Sequence, residues 1–513
     1  MVERANRWYV TSDETVMYHW EALSTMSAYT KQDGFDEFAA AREQFEGLVG
    51  ELRSGCNEAL EHGQAERLIE EEGREVLRRL MQGYLDSRTQ NEARASAVMG
   101  VDSQERGHCR GERGRKLETL FGTVKVRRKG YSARGLSSVF PLDAALNLPR
   151  EKYSHGLRER VAKAVVKDSF DETVSTVRQD TGGHVPKRQA EQLSTVVVED
   201  FDAYYQAREA TEAEDTDLLV MSTDGKGIVV RTEDLRPATR KAAQSARHKL
   251  KTRLSRGEKR NRKRMATVAA IYDVAPHWRN AEQIMGVEER SGDARPRPDG
   301  KRVWASLEEP PEVVIERLFQ EAARRDPERR RRWLVLVDGH EKQLDIVKGC
   351  IARYGGDVVV IQDFIHVLEY LWKAAYCFHP AGSQAAEQWV MERALRVLHS
   401  ESSGVAAGMR RSATRQGLTP AQRKAVDTCA RYLLKNKTRL DYAKALAEGW
   451  PIATGVIEGA CRYLVKDRLE ITGARWSLAG AEAILKLRAL HASGDLQDYF
   501  TFHRSQERRR NYP

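Results

Sequence analysis

Apolar and polar positions change period several times along this 513-residue chain. Up to about residue 100, stretches such as FDEFAAAREQFEGLVGELR and GQAERLIEEEGREVLRRLMQGYL space their apolar residues by three and four, the period of a helix with one apolar face. They predict a helical bundle or an oligomerisation arm and ask for no chemistry. From Leu117 to Tyr131 the period drops to two around Gly122, which predicts a short hairpin carrying Lys125, Arg127, Arg128 and Lys129 on a basic face. Such a face suits DNA, and it suits a lysine-defended edge strand at least as well. Between Tyr153 and Asp200 three short helices are expected. Leu157 to Val166 is apolar at helical spacing, Ser169 with Glu172 forms a capping box, Thr181-Gly182-Gly183 breaks the chain, and Val185-Pro186 opens the third. This is the order of a helix-turn-helix, with Lys187, Arg188 and Gln189 at the start of the recognition helix; a generic three-helix linker fits the same pattern.

Continuous apolar runs follow. Leu218 to Thr223 reads as a buried strand ending on Asp224, and Gly225 with Gly227 allows a tight reversal into a second strand, Ile228 to Thr232. Met265 to Val274 is a third strand. Glu312 to Arg324 reads as a helix, Trp333 to Val337 as a strand running into Asp338-Gly339, Leu344 to Tyr354 as a helix, and Val358 to Ile361 as a strand followed by Asp363. A hairpin meander followed by alternating elements implies a mixed α/β sheet with parallel later strands and helices on its faces, the element order of a ribonuclease H-like fold. In that topology the first strand is central and the fourth lies beside it, so Asp224 and Asp338 converge. From Phe364 to Trp450 the pattern is fully helical, with a start signal at Thr419-Pro420, and reads as an all-α insertion interrupting the sheet domain. Helices are then expected from Val456 to Leu469 and from Leu478 to Leu490, and HRSQERRRNYP reads as a frayed polar tail. The expected division is a helical region over 1–110, a small hairpin region over 111–150, a helix-turn-helix domain over 151–210, a catalytic core over 211–369 and 451–495 split by the helical insertion 370–450, and a tail over 496–513.

Composition narrows the class. The length suits two to four domains. Lys and Arg number 85 against 75 Asp and Glu, so the surface is basic but carries both signs, which fits a phosphate-binding enzyme better than a histone-like polycation. Twelve of those cations fall between Arg240 and Arg264, against the single acid Glu258. Because that run, with Arg260 and Lys263 near its end, lies between two strands of one sheet, it reads as a phosphate-tracking arm. The six cysteines (Cys56, Cys109, Cys350, Cys377, Cys429, Cys461) occur singly with no CxxC pair, as expected of reduced thiols in a cytosolic protein. MVERANRWYVTSDE has no apolar core of signal-peptide length, and no segment approaches ~20 uncharged apolar residues. The expected location is therefore cytoplasmic and nucleoid-associated, with no membrane contact.

Acids held at the mouths of neighbouring strands suggest a divalent-metal site more than a core. On the helix from Val456, Glu458, Arg462 and Lys466 fall at i, i+4 and i+8, one carboxylate and two cations on roughly one face. If that face meets the strand ends, Asp224, Asp338 and Glu458 come together. Three uncompensated carboxylates repel one another, and two Mg²⁺ or Mn²⁺ ions about 3.5–4 Å apart offset the repulsion and promote in-line phosphoryl transfer. Oxygen-only ligands suit those ions better than zinc. Arg462 and Lys466 then hold the DNA backbone. Asp363 and His366, at i and i+3, share a face: His366 is a candidate for metal or scissile phosphate and equally a hydrogen-bonded partner of a capping Asp. Trp476 is a candidate platform for an unpaired base and, with equal weight, a core residue.

Four motifs carry a family resemblance: TDGKG at Thr223 to Gly227, LVDGHEKQL at Leu336 to Leu344, VIQDFIHVLEYLWKAAYCFH at Val360 to His379, and GVIEGACRYLVKDRLEITGARW at Gly455 to Trp476. With the order between them they cover about residues 215 to 500, and the chain resembles the bacterial insertion-sequence DDE transposases of the ISKra family, related in layout to the Mutator-like group. The resemblance implies Mg²⁺-dependent DNA strand cleavage and joining, with Asp224, Asp338 and Glu458 matching the triad and Asp363/His366 matching a D-x-x-H signature. In related families the acid of D-x-x-H is read as the second triad member, which leaves Asp363 as the alternative to Asp338. The partners implied are double-stranded DNA, both element ends and target, and a second copy of the chain or a higher oligomer. Readings of a different class are a non-catalytic DNA-binding regulator and a nuclease or resolvase without strand transfer.

Overall fold

In a computed structural model of the chain the described residues are 36–54, 60–209, 217–247, 249–250, 252–256, 258, 261–289 and 294–513. Helices α1 (Ala39–Arg53) and α2 (His62–Gln90) pack together, and α2 lies along the hairpin β1 (His108–Thr119) and β2 (Gly122–Ser132). The hairpin is longer than its alternating segment, and it turns at Gly122, whose φ of 121° suits glycine. Leu117, Val124 and Val126 bury with Leu85 of α2. The expected basic face is divided: Lys125 and Arg127 are exposed, whereas Arg128 turns inward to Asp143 at 2.8 Å.

The next helices are α3 (His155–Val165), α4 (Phe170–Asp180), α5 (Lys187–Val197) and α6 (Phe201–Ala207). The reciprocal Ser169 and Glu172 capping bonds that start α4 are present. The apolar faces of α3 to α6 merge into the same buried cluster as the sheet, so one core runs across residue 210.

Among the described residues the sheet has five strands, β3 (Leu218–Val229), β4 (Lys263–Val274), β5 (Asp299–Ser306), β6 (Trp333–Val337) and β7 (Val358–Gln362), in the order β5-β4-β3-β6-β7. The first three are antiparallel neighbours; β6 runs parallel to both β3 and β7. Two strand expectations need correction. The chain does not reverse at Gly225 and Gly227, so Ile228 onward is no second strand and Asp224 sits mid-strand. Residues 218–229 pair without a break with 263–274, and a Cβ at Gly227 would come within 2.9 Å of the Lys263 side chain, so glycine serves close packing rather than a turn. The third strand is instead β5, whose Arg302 is buried under a 2.7 Å ion pair with Glu321.

Helices α7 (Pro311–Arg325) and α8 (Glu341–Tyr354) bury against one core. A second apolar core, beginning with Leu218, Val220, Leu334 and Leu336, is filled by the helical block α9 (Phe364–Ala375), α10 (Gln384–Leu398), α11 (Ser402–Arg415), α12 (Lys424–Lys435) and α13 (Tyr442–Ala447). The helical run α14 (455–469), then α15 (Leu478–Ala492) and α16 (Leu496–Asn511), complete the chain. The fraying expected of His503 to Pro513 is overturned by α16, which runs to Asn511. His503 and Glu507 lie one turn apart on one face and find buried partners: His503 Nδ1 is 2.6 Å from Asp200, and Arg158 donates to Glu507 at 2.9 and 3.0 Å. Among the described residues no helix is long and apolar enough to cross a membrane.

Candidate functional site

Strand register builds the site. Across the β3/β6 pair, Leu219 faces Trp333 and Ser222 faces Leu336, a constant offset of 114 residues, and the same offset carries Asp224 to Asp338. Across β6/β7, Trp333 faces Val358 and Val337 faces Gln362, an offset of 25, which carries Asp338 to Asp363. Continued past the last paired residues, these offsets set Asp224, within β3, level with Asp338 and Asp363, the residues that follow the carboxyl ends of β6 and β7.

One face of β3 explains the gap above this row. Leu218 and Val220 lie in the core under the helical block; Ser222, Asp224 and Lys226 follow; then Ile228 and Val230 lie in the core shared with the C-terminal helices. The two helical layers leave a polar stretch between them, centred on Asp224.

Each acid has a distinct setting. Asp224 is half-buried and accepts from Gly225 N at 2.6 Å and from the Cys461 thiol at 3.2 Å. Asp338 follows β6 and accepts from His340 N at 2.9 Å through Oδ1. Gly339, with φ of 93°, makes the bend possible. Asp363 is fully buried and caps α9. Its Oδ1 accepts from Ile365 N at 3.1 Å and Thr454 N at 3.2 Å, and its Oδ2 meets Thr454 Oγ1 and His366 Nδ1, both at 2.9 Å. Four donors occupy this carboxylate, which orients His366 and Thr454. Glu458 is exposed, and Thr454 Oγ1 lies 3.3 Å from its Oε1.

Among the described residues, ligand atoms of Asp363, His366 and Glu458 lie within 4.8 Å of one another, a group that does not include Asp224 or Asp338. Electrostatics ties those two to it. The Asp363 hydrogen bond, with help from Asp338 and Glu369, raises the His366 pKa to about 8. Burial first, then the charges of Asp224 and Glu458, push the Cys461 thiol far up.

Helix α14 forms where expected but not as a regular α-helix. Gly455–Ala460 is α-helical, Cys461–Lys466 is a π-helix, and Asp467–Leu469 is α-helical again. The wider turn breaks the i, i+4, i+8 alignment of Glu458, Arg462 and Lys466. Arg488 receives the carbonyls this turn presents, its Nε donating to Tyr463 O at 2.7 Å and Leu464 O at 3.1 Å. Cys461 thereby meets Asp224, while Arg462, 3.6 Å from Asp467, and Lys466 stand in solvent. Thr454, buried one turn before Glu458, and Cys461, three residues after it, are site members that composition did not suggest. Their i−4 and i+3 spacing from Glu458 is the signal that could have found them.

The expected DNA-contacting residues separate. Lys187 and Arg188 are exposed at the start of α5, with Lys187 2.6 Å from Asp171, and Gln189 Nε2 donates to Gln192 at 2.7 Å. Lys263 pairs with Glu470 at 2.6 Å. Arg260 lies outside the described residues. Trp476 does not offer an open stacking face: it is buried, donates its indole N–H to Leu469 O at 3.0 Å and packs on Phe170 with ring centroids 6.0 Å apart. Its backbone joins the edge of β3 beside Val230, which seats the ring in the core.

No protein-family model matches the chain, and no curated protein matches it.

Proposed function

We propose that this chain is a DNA transposase of an insertion sequence: a ribonuclease H-like polynucleotidyl transferase that binds element ends and cuts and joins strands through Asp224, Asp338 and Glu458. The observation that carries the reading is the row of acids. It is supported by the β3/β6 pairing, which runs from Leu219 opposite Trp333 to Ser222 opposite Leu336 and, continued by two residues, brings Asp224 opposite Asp338 just past the end of β6, and by the Cys461 thiol of α14, which donates to Asp224.

The donor set fits Mg²⁺ or Mn²⁺. Asp338 Oδ2 and Glu458 Oε2 carry no protein hydrogen bond among the described residues, and Asp224 accepts only one bond at each oxygen, leaving hard oxygen lone pairs for metal. When bound, two such ions supply an activated water or 3′-hydroxyl and stabilisation of the leaving oxygen. The chain's own residues do the rest. Asp363 fixes the His366 ring through Nδ1 and leaves Nε2 for a phosphate oxygen. With a pKa of about 8 the ring carries its proton at neutral pH and donates it as a charged hydrogen bond. Lys187, Arg188, Arg462 and Lys466 are exposed, which supports a role in neutralising DNA backbone.

The test uses DNA ends taken from the flanks of the reading frame. Asp224→Ala and Glu458→Ala should bind such ends as the wild type does and lose Mg²⁺-dependent nicking and strand transfer. Metal-dependent cleavage retained by both variants refutes the assignment.

A further inference from the structure

Helix α2 gives one side to α1, where Gly83 admits Glu37 and Phe38, and another to the hairpin, where Leu85 is buried and Gln82 Nε2 donates to Lys125 O at 2.9 Å. Its third side faces out and is apolar. Ile69, Gly73, Leu77, Leu80 and Tyr84 follow one another by four, four, three and four residues, which is one stripe of a helix. Ile69 is 48 % exposed, Leu77 44 %, and Leu80 and Tyr84 41 % each. Gly73 sits in mid-helix, where glycine weakens the helix relative to alanine. A Cβ there would meet nothing within 4 Å, so packing within one chain gives no reason for the glycine.

The stripe ends in opposite charges. Glu66 continues it at the N-terminal end and Arg88 at the C-terminal end, and neither has a partner of opposite fixed charge among the described residues: Glu66 lies 3.6 Å from His62, and Arg88 Nη1 donates to the Tyr84 hydroxyl at 3.5 Å. Leu77 is eleven residues from each of them, and the pairs Ile69 with Tyr84 and Gly73 with Leu80 are centred within half a residue of the same point. A stripe with this symmetry is complementary to itself when reversed.

We propose that this stripe is the contact between two copies of the chain, with α2 packed antiparallel to α2 of the second copy about a two-fold axis at Leu77. In that pairing Leu77 meets the partner's Leu77, Leu80 lies over the partner's Gly73, Tyr84 over the partner's Ile69, and Arg88 beside the partner's Glu66. The glycine lets Leu80 approach closely, and the charges match at both ends. Parallel pairing would instead set Glu66 against Glu66 and Arg88 against Arg88, like charges at both ends. From Glu66 to Arg88 the contact runs roughly 33 Å at 1.5 Å per helical residue. The inference does not rest on the transposase reading.

The test is analytical ultracentrifugation of the full chain. The wild type should sediment as a dimer at micromolar concentration, and Leu77→Asp as a monomer, with circular dichroism unchanged because the side chain is at the surface. Glu66→Arg or Arg88→Glu alone sets like charges together at both ends of the contact and should raise the dissociation constant about tenfold. Glu66→Arg with Arg88→Glu restores opposite signs and should return it close to the wild-type value. A monomeric wild type, a dimer that survives Leu77→Asp, or a double reversal no tighter than the single ones overturns the proposal. Asp224→Ala should remain a dimer, so the two readings fail separately. A dimer that never nicks end DNA keeps the contact and loses the catalytic reading; a monomer that nicks does the reverse.

Discussion

His366 Nδ1 and Asp363 Oδ2 are 2.9 Å apart, and the aspartate of this pair is wholly buried. In the metal-free protein that bond, reinforced by Asp338, keeps the imidazolium to a pKa of about 8 against an ordinary value of 6.5. A pKa raised by folding means that the stabilisation is fully present below pH 6.5 and disappears as the pH climbs through about 8. NMR titration of the His366 ring should give a midpoint near 8. Asp363→Asn should move the midpoint down; a midpoint unmoved by that change removes Asp363 as the orienting partner.

Gly339 makes a second prediction. Its φ of 93° is unfavourable for any L side chain, and a Cβ there would sit 2.9 Å from Nε2 of the buried Gln362, which donates to Val337 O at 3.1 Å. Gly339→Ala should cost about 1–2 kcal/mol in denaturant unfolding. It should also depress catalysis more than it depresses DNA binding, because Asp338 is the adjacent residue. Equal stability and activity would show that the bend after β6 is not held by glycine.

The C-terminal helix gives a third. Glu507 and Arg158 are both buried and joined by bonds of 2.9 and 3.0 Å. Removing one partner of a buried pair typically costs about 3–5 kcal/mol, so Glu507→Ala should lower the unfolding midpoint markedly, and Glu507→Gln less. A loss below about 1 kcal/mol, the value of an exposed pair, would mean that α16 is not docked as described.

Much of this arrangement was legible in the chain and some of it was not, for physical reasons. WLVLV before Asp338 and VVVIQ before Asp363 are short apolar runs that end on their acids, and both form the strands expected of them. The first strand was split because Gly225 and Gly227 carry a turn signal; their pairing with Ala266 and Met265 is a long-range fact that no local pattern encodes. Strand β5 was hidden because Lys301 and Arg302 interrupt it, and Arg302 is tolerated inside only because Glu321 and Tyr205 meet it there. Polarity misled in the same way over His503 and Glu507, whose partners lie some 300 residues earlier. Of the acids and histidine singled out in the sequence, Asp363, His366 and Glu458 come together in the structure. The π-turn at Cys461–Lys466 was not legible, because it depends on Arg488 meeting the carbonyls of Tyr463 and Leu464.

The same π-turn yields a prediction about Cys461, whose thiol reaches Asp224 at 3.2 Å. Cys461→Ser keeps a donor there and should retain nicking. Cys461→Leu places a larger apolar group against Asp224 and should reduce nicking tenfold or more, about 1.4 kcal/mol in the barrier, with DNA binding unchanged. Identical nicking by both variants would separate Cys461 from the site.

The most direct measurement is a crystal of the full chain soaked in Mn²⁺ and examined by anomalous scattering. Two peaks about 3.5–4 Å apart, bridged by Asp224 and Asp338 and completed by Glu458, are the result this account predicts. Manganese bound elsewhere, or held without contact to Asp224 and Glu458 when DNA is also bound, would contradict it.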